Sequence, residues 1–421
     1  MVSRTARHAA GLAVLVAALG YFVDIYDLIL FGMIRIKSLR SLGVPEAALK
    51  DAGIYLFNMQ MGGMLLGGIL WGVIGDKAGR LSVLFGSITM YSIANVANGL
   101  VGGIDSYAAC RLIAGIGLAG ELGAGITLVS ELMGRHDRGV GTTVVAALGV
   151  SGGILAGLIA GAFGPGVDWR TAYFIGGGLG LALLLLRVGV VESGMFRAAA
   201  ARPEVRRGNF LALFAPARLG RYLAIIGVGV PIWYVIGVLF TFSKELGGAL
   251  GLAPPPDPAR ALFFCYAGAA VGGMLSGLVS QRLRSRRRAL AAFMLATAAV
   301  AAAYFALGGT SSAVFYALCV LGGIGSGYWA VFVTVAAELF GTNLRATATT
   351  TVPNFVRGSA VLLTIGFQRL TPALGLVGAA IAVGAVAFAA GLIGLASVRE
   401  TYGVDLDFHE GAPAPAPATA T

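Results

Sequence analysis

Apolar residues run along this chain in blocks of about 19 to 28, each closed by a short polar or basic stretch, and the blocks predict helices rather than strands. They fall at roughly 9–34, 52–75, 81–102, 106–133, 139–163, 170–191, 220–243, 260–280, 289–307, 312–338, 347–369 and 373–397. Each is long enough to cross a bilayer as a helix, which takes about 20 residues. Alternating segments of about ten residues, the signature of a membrane β-barrel, are absent from the pattern. The prediction is an all-α membrane protein of twelve transmembrane helices in two pseudo-symmetric six-helix bundles.

Two aspartates, Asp24 and Asp27, interrupt the first block. A charge at that depth costs about 2.5–3.5 kcal/mol on insertion scales, so such acids are expected to face a wet cavity or cationic partners. Their spacing of three puts both on one helical face.

Composition agrees with the pattern. Of 421 residues 57% are apolar and only 12% charged, against about 25% charged in soluble domains. The net charge of +11 sits in short loops rather than on one soluble face, so nucleic acid is not an expected partner. Placing both termini in the cytoplasm puts Arg4, Arg7, Lys77, Arg80, Arg135, Arg138, the arginines of 197–221, the Arg282 to Arg288 cluster, Arg345 and Arg399 inside. Only Arg35, Lys37, Arg40, Lys50, Arg170, Lys244, Arg260 and Arg369 then lie outside, as the positive-inside rule requires. The expected location is the bacterial cytoplasmic (inner) membrane. Cys110, Cys265 and Cys319 lie in or at the edge of apolar blocks without metal-ligand or disulfide spacing and are read as packing residues. The first block is too long for a cleaved signal peptide.

The organisation read from these blocks is an N-terminal bundle (1–191), a basic cytoplasmic linker (192–219), a C-terminal bundle (220–400) and a disordered cytoplasmic tail (401–421). The two bundles echo each other. Asp76, Lys77 and Arg80 after the second block answer to Gln281, Arg282 and Arg286 after the eighth, and Glu131 with Arg138 answers to Glu338 with Arg345, all at an offset near 205 to 207. Two landmarks at one offset argue for an internal duplication, the plan of many secondary transporters.

Gly72-x-x-Gly75-Asp76-Lys77-x-Gly79-Arg80 resembles the signature loop of the major facilitator superfamily. Arg111-x-x-x-Gly115-x-Gly117-x-x-Gly120-Glu121 is similar to a second motif of its metabolite/proton symporters and organic-ion or sugar porters, and Glu338 to Arg345 and Arg399-Glu400-Thr401 resemble the same branch. The resemblance implies alternating access, with Asp76, Lys77, Arg80, Glu131, Arg138, Glu338 and Arg345 as cytoplasmic gating residues. Gln281 in place of an acid predicts a weaker latch in the second half. The resemblance also points to Asp27 as a proton carrier set against Arg111, with Asp24 next.

Arg111 lies at a depth close to that of the aspartates, and protonating an aspartate would release such a cation; a static ion pair is the competing reading. Glu121 is about 80° around its helix from Arg111, so the two are not a direct pair. It is read either as a second proton site or as a structural acid. In the eleventh block Thr350, Asn354, Arg357 and Thr364 share one helical face. Arg357 suits a carboxylate taken by its planar fork, and an ion pair with Asp24 or Glu121 is the alternative. Asn354, Tyr26, Asn58, Gln60, Trp233, Tyr234, Tyr328 and Trp329 are further candidates for a midplane substrate site built from spans one, four, seven, ten and eleven, against the plainer role of packing. Glycines at four-residue spacing, Gly149 to Gly161 and pairs such as Gly63/Gly67 and Gly273/Gly277, predict close, sliding helix contacts.

The function expected is proton-coupled symport of a small organic anion. A facilitator or a proton/drug (cation) antiporter, with Asp24, Asp27 and Glu121 holding a cation, is the alternative, and a membrane sensor a third. No phosphate-binding loop of the GxxxxGK[ST] type is present, so ATP-driven pumping is not expected; a transporter rather than an enzyme is the expectation. The expected partners are a small molecule, protons and lipid, with no cofactor or metal and a monomeric chain.

Overall fold

The structure, a computed structural model, describes the backbone of residues 4–133, 138–187 and 208–410. Within them lie the helices α1 (Arg4–Ser41), α2 (Leu49–Ala78), α3 (Arg80–Asn98), α4 (Ile104–Leu132), α5 (138–160), α6 (Trp169–Leu186), α7 (Pro216–Phe240), α8 (Pro258–Arg282), α9 (Arg286–Leu307) and α10 (Ser312–Glu338). A last helical stretch, Arg345–Ser397, is 53 residues long and breaks at Gly375, whose φ of 69° only glycine adopts readily. The break divides it into α11 (345–374) and α12 (376–397). Twelve helices result among the described residues, as many as the apolar blocks predict. Large apolar side chains such as Leu66, Leu158, Leu278 and Ile393 stay exposed on the flanks, where lipid would cover them.

Helix ends follow local chemistry. Gly79, at φ 101°, turns the chain between α2 and α3 without an intervening loop. Asp257, Ser285 and Ser311 cap α8, α9 and α10 by accepting from backbone N–H groups, replacing bonds that a helix start lacks. Pro231 inside α7 is followed by a π-helical turn over Val235–Phe240, a local widening that carries Trp233 and Ile236 to the molecular centre.

The halves meet along two helix pairs, α2 with α11 and α5 with α8. Glycine permits both. A Cβ on Gly72 would sit 3.0 Å from the Thr347 backbone, and one on Gly157 would sit 2.8 Å from Phe263. Gly273 faces Ala147 and Gly277 faces Thr143 across the second pair, so these glycines do sit where the halves come close together. Gly63 and Gly67 instead press on α4 within one half, and Gly149 on Tyr21 of α1.

Residues 401–410, expected to be disordered, are packed. Thr401 and Leu406 are buried, and Glu410 is held by Arg218, Arg221 and the Gly341 N–H. The segment is ordered because it carries partners for the arginines at the start of α7. Residues 411–421, and 192–207 of the expected linker, lie outside the described residues. Of that linker, 208–219 forms a short 3-10 helix, Phe210–Phe214, and the start of α7.

Candidate functional site

At the centre of the molecule Arg357 of α11 donates from Nη2 to Asp24 Oδ2 of α1 at 3.1 Å, with both side chains buried. Asn354, one turn earlier, accepts from Arg357 Nη1 at 3.4 Å and donates to the Ala119 carbonyl of α4 at 2.7 Å. Thr364 farther along donates to Asn58 Oδ1 of α2 at 2.8 Å. The predicted polar face of α11 is thus one face, and it looks into the N-terminal bundle.

Beside the ion pair lies a cavity walled by Tyr21, Ile25, Trp233, Tyr266, Ser326, Trp329 and Arg357. The Arg357 guanidinium stands 5.6 Å from the Trp329 ring and 5.8 Å from that of Tyr21. Two lining residues carry buried donors with no acceptor among the described residues, Ser326 Oγ and Arg357 Nε, and the Trp329 indole N–H lies within hydrogen-bond reach of the Tyr21 hydroxyl. The cavity is small, about 30 Å³ of room for the centres of water molecules, enough for two or three waters at about 10–15 Å³ each. It is drawn from α1, α5, α7, α8, α10 and α11. The expected helices one, seven, ten and eleven are there; α5 and α8 take the place expected of α4, because the α5–α8 crossing closes that side.

Several candidates turn elsewhere. The Tyr26 hydroxyl donates to the Ala172 carbonyl of α6, Tyr234 to the Ala380 carbonyl of α12 and Tyr328 to the Val228 carbonyl of α7, so these aromatics tie helices within one half. Gln60 accepts from Arg111 and is absent from the cavity wall. Arg111 also donates to the Tyr173 hydroxyl at 3.3 Å and stands 4.3 Å from the Phe31 ring. The direct Arg111–Asp27 contact expected from the sequence is therefore not formed. Asp27 rests against Gly176 of α6, lies within hydrogen-bond reach of Asn95 and feels the charge of Arg111. Glu121 pairs with Arg187 and accepts from Ser87 at 2.8 Å. Tyr21, Tyr266 and Arg187 escaped the sequence reading. Nothing in the spacing of a lone tyrosine, or of an arginine at a helix end, marks them.

The gating candidates cluster on the face that carries the described chain ends. Asp76 accepts from the Ala346 N–H at 3.1 Å, the Thr347 N–H at 2.8 Å and the Thr347 hydroxyl at 2.6 Å, capping α11 from the other half. Glu131 lies between Arg80 at 2.7 Å and Arg345 at 3.2 Å, the second of which belongs to the other half. The duplicate cluster differs. Arg286 pairs with Glu338 at 3.2 Å, while Gln281 accepts from the Tyr402 hydroxyl at 3.1 Å and faces Gly139 at the start of α5. Lys77 is exposed beside Gly208, and the Arg138 side chain lies outside the described residues. On the opposite face Arg35 of α1 donates to Glu245, beyond α7, at 2.8 and 3.0 Å. Both faces are bridged across the halves, and the cavity lies between them.

The sequence model described as Major Facilitator Superfamily matches residues 10–365. Among curated relatives, the 3-(3-hydroxy-phenyl)propionate transporter of Escherichia coli (strain K12) is 27% identical over 73% of this chain and 77% of its own. The gentisate transporter of Corynebacterium glutamicum is 26% identical over 80% and 76%. The cis,cis-muconate transport protein of Acinetobacter baylyi is 26% identical over 94% and 96%. The solved structure of the proton:xylose symporter XylE superposes with a TM-score of 0.71 at 18% identity, covering 95% of this chain and 98% of that one, a likeness of fold.

Proposed function

The chain belongs to the Major Facilitator Superfamily, and from that membership we propose that it carries a small organic anion across the membrane together with protons by alternating access. It is a multi-pass transporter and not an enzyme. The observation that carries the anion reading is the cavity wall: a buried guanidinium, an indole N–H and a hydroxyl donor set among aromatic rings. Such donors suit a carboxylate, and the rings suit a flat apolar body. The named cargoes of the relatives, hydroxyphenylpropionate, gentisate and muconate, are organic acids of that kind and support an aromatic or unsaturated carboxylate here.

Proton coupling follows from the Arg357–Asp24 pair. An incoming carboxylate competes with Asp24 for the same guanidinium. Leaving Asp24 ionised and unpaired in a buried site is costly, so its protonation and anion binding favour each other. The pair neutralises the cavity, which argues against a cation as cargo. Reorientation then requires Glu131–Arg345 and Asp76–α11 to part on one face and Arg35–Glu245 to part on the other. We place both chain ends on the cytoplasmic side of a bacterial inner membrane, with the monomer as the working unit and 192–219 joining the two bundles.

The test is uptake of a panel of aromatic, unsaturated and aliphatic carboxylates into proteoliposomes under an imposed pH gradient. Gradient-driven accumulation of one aromatic acid, lost in Arg357→Ala, is expected. Uptake indifferent to the gradient and to Arg357 would overturn the reading.

A further inference from the structure

Helix α3 carries a polar face that the substrate cavity does not use. Ser87, Tyr91, Asn95 and Asn98 stand at spacings of four, four and three, one helical stripe, and all four are buried. At one end the Ser87 hydroxyl donates to Glu121, itself paired with Arg187. Tyr91 comes next. Its hydroxyl lies against α6 at Gly180, where a Cβ would sit 3.1 Å from it. One turn along the same helix Gly176 receives the Asp27 carboxylate, and a turn of four residues is about 6 Å, the reach of two hydrogen bonds in series. Asn95 faces Asp27 from α3, and Asn98 continues the stripe to the end of the helix away from the chain termini.

Four polar atoms of this group have no hydrogen-bond partner among the described residues, the Tyr91 and Ser92 hydroxyls and both amide atoms of Asn98, while Asn95 lies within hydrogen-bond reach of Asp27. Buried groups of this kind are served by ordered water, and at Gly176 and Gly180 of α6 they pack directly against bare backbone.

We propose that this stripe is a hydrated proton relay inside the N-terminal bundle, entering at Asn98, pausing on Asp27 and passing through the Tyr91 hydroxyl to Glu121. The inference rests on the proton-coupled reading above and divides the labour between the two acids of α1: Asp24 faces the cavity and Arg357, Asp27 faces the relay. In one passage the Asp27 carboxyl gives its proton to a bridging water, and that water gives one to Tyr91 Oη. The phenolic proton leaves by way of the Ser87 hydroxyl for the Glu121 carboxylate. Asp27 ends ionised, Glu121 ends neutral and Tyr91 ends as it began. The charged and titratable groups facing Asp27 are Asp24 and Tyr26 on α1, Tyr91 on α3, Arg111 on α4 and Tyr173 on α6. Arg111 is the cation that favours the return of Asp27 to its ionised form.

The test compares the parent, Asp27→Asn, Tyr91→Phe and Asn95→Leu in proteoliposomes, reading gradient-driven accumulation, proton entry by an internal pH dye, and substrate counterflow without a gradient. Tyr91→Phe keeps the ring and removes only the hydroxyl. Accumulation and proton entry are expected to fall about tenfold or more in Tyr91→Phe and Asn95→Leu, with counterflow retained. A parent that responds to the gradient beside a Tyr91→Phe that responds equally overturns the relay alone. Equal loss of counterflow and accumulation in both variants makes the stripe a packing feature and also overturns it. A parent without gradient response overturns the coupling reading itself.

Discussion

Arg357 and Asp24 stand 333 positions apart in the chain, yet their side chains meet at 3.1 Å across the boundary between the two bundles. That one contact ties α1 to α11 across the halves, and it is the contact on which the proposed cargo recognition and proton binding both rest.

Removing either partner alone leaves a buried charge. Arg357→Ala is expected to lower stability by about 3–5 kcal/mol, and Arg357→Met with Asp24→Asn to restore most of it. Thermal unfolding in detergent measures this. Carboxylate affinity should stay lost in the double variant, since the guanidinium is gone. Recovery of affinity together with stability would remove Arg357 from the binding site.

Glu131 serves Arg80 and Arg345 at once. Glu131→Gln leaves two buried cations without their shared counter-charge and should open the face that carries the described chain ends. Spin labels at the exposed positions Lys77 and Leu283 report it as a longer distance. An unchanged distance distribution would show that the pair does not hold this face shut.

Glu245→Gln is expected to act in the opposite sense. Arg35 is fully buried, so loss of its partner should favour opening of the other face, shifting the balance by about 1–3 kcal/mol. Combined with Glu131→Gln it should bring the label distance back toward the parent value. Additive opening at one face would contradict this.

The strap at 401–410 has a predictable pH window. Burial alone would raise the Glu410 carboxyl, but its bonds to Arg221, the Gly341 N–H and Arg218 outweigh burial and hold it below its ordinary value. Glu400 is likewise lowered: burial opposes, and the Ser285 hydroxyl with the Arg286 and Tyr402 N–H groups prevails. A depressed carboxyl contributes stability that is complete above its unfolded pKa, about 4.3, and lost as pH falls through the folded value. Hydrogen exchange over 401–410 should stay slow at pH 5–8 and quicken only below about 4. Early release near neutrality would contradict it.

Much of this was legible in the chain itself. Apolar blocks of bilayer length, basic loops on one side and the offset repeat of Asp76/Gln281 and Glu131/Glu338 announced twelve helices in two related halves. The stripe Thr350, Asn354, Arg357 and Thr364 was visible as one face because helical periodicity is a local property. The partner of Arg357 was legible only as a choice between Asp24 and Glu121, and the fold took Asp24. The family resemblance set Arg111 against Asp27, and the fold instead turned Arg111 toward Gln60, Tyr173 and Phe31 and turned Asp27 toward α6. The candidates Tyr26, Tyr234 and Tyr328 went the same way, because a tyrosine in a span reads alike whether its hydroxyl meets a cavity or a neighbouring carbonyl.

What the amino-acid order determined alone is therefore the number, length and polarity of the helices and which residues share a face, since these depend on neighbours within one or two turns. Which faces meet was decided only by tertiary packing. Glycines such as Gly72, Gly157 and Gly176 let particular backbones approach, and the rotation of each helix follows from all of its contacts at once. That rotation decides whether a buried acid looks at an arginine, at a cavity or along the polar face of α3.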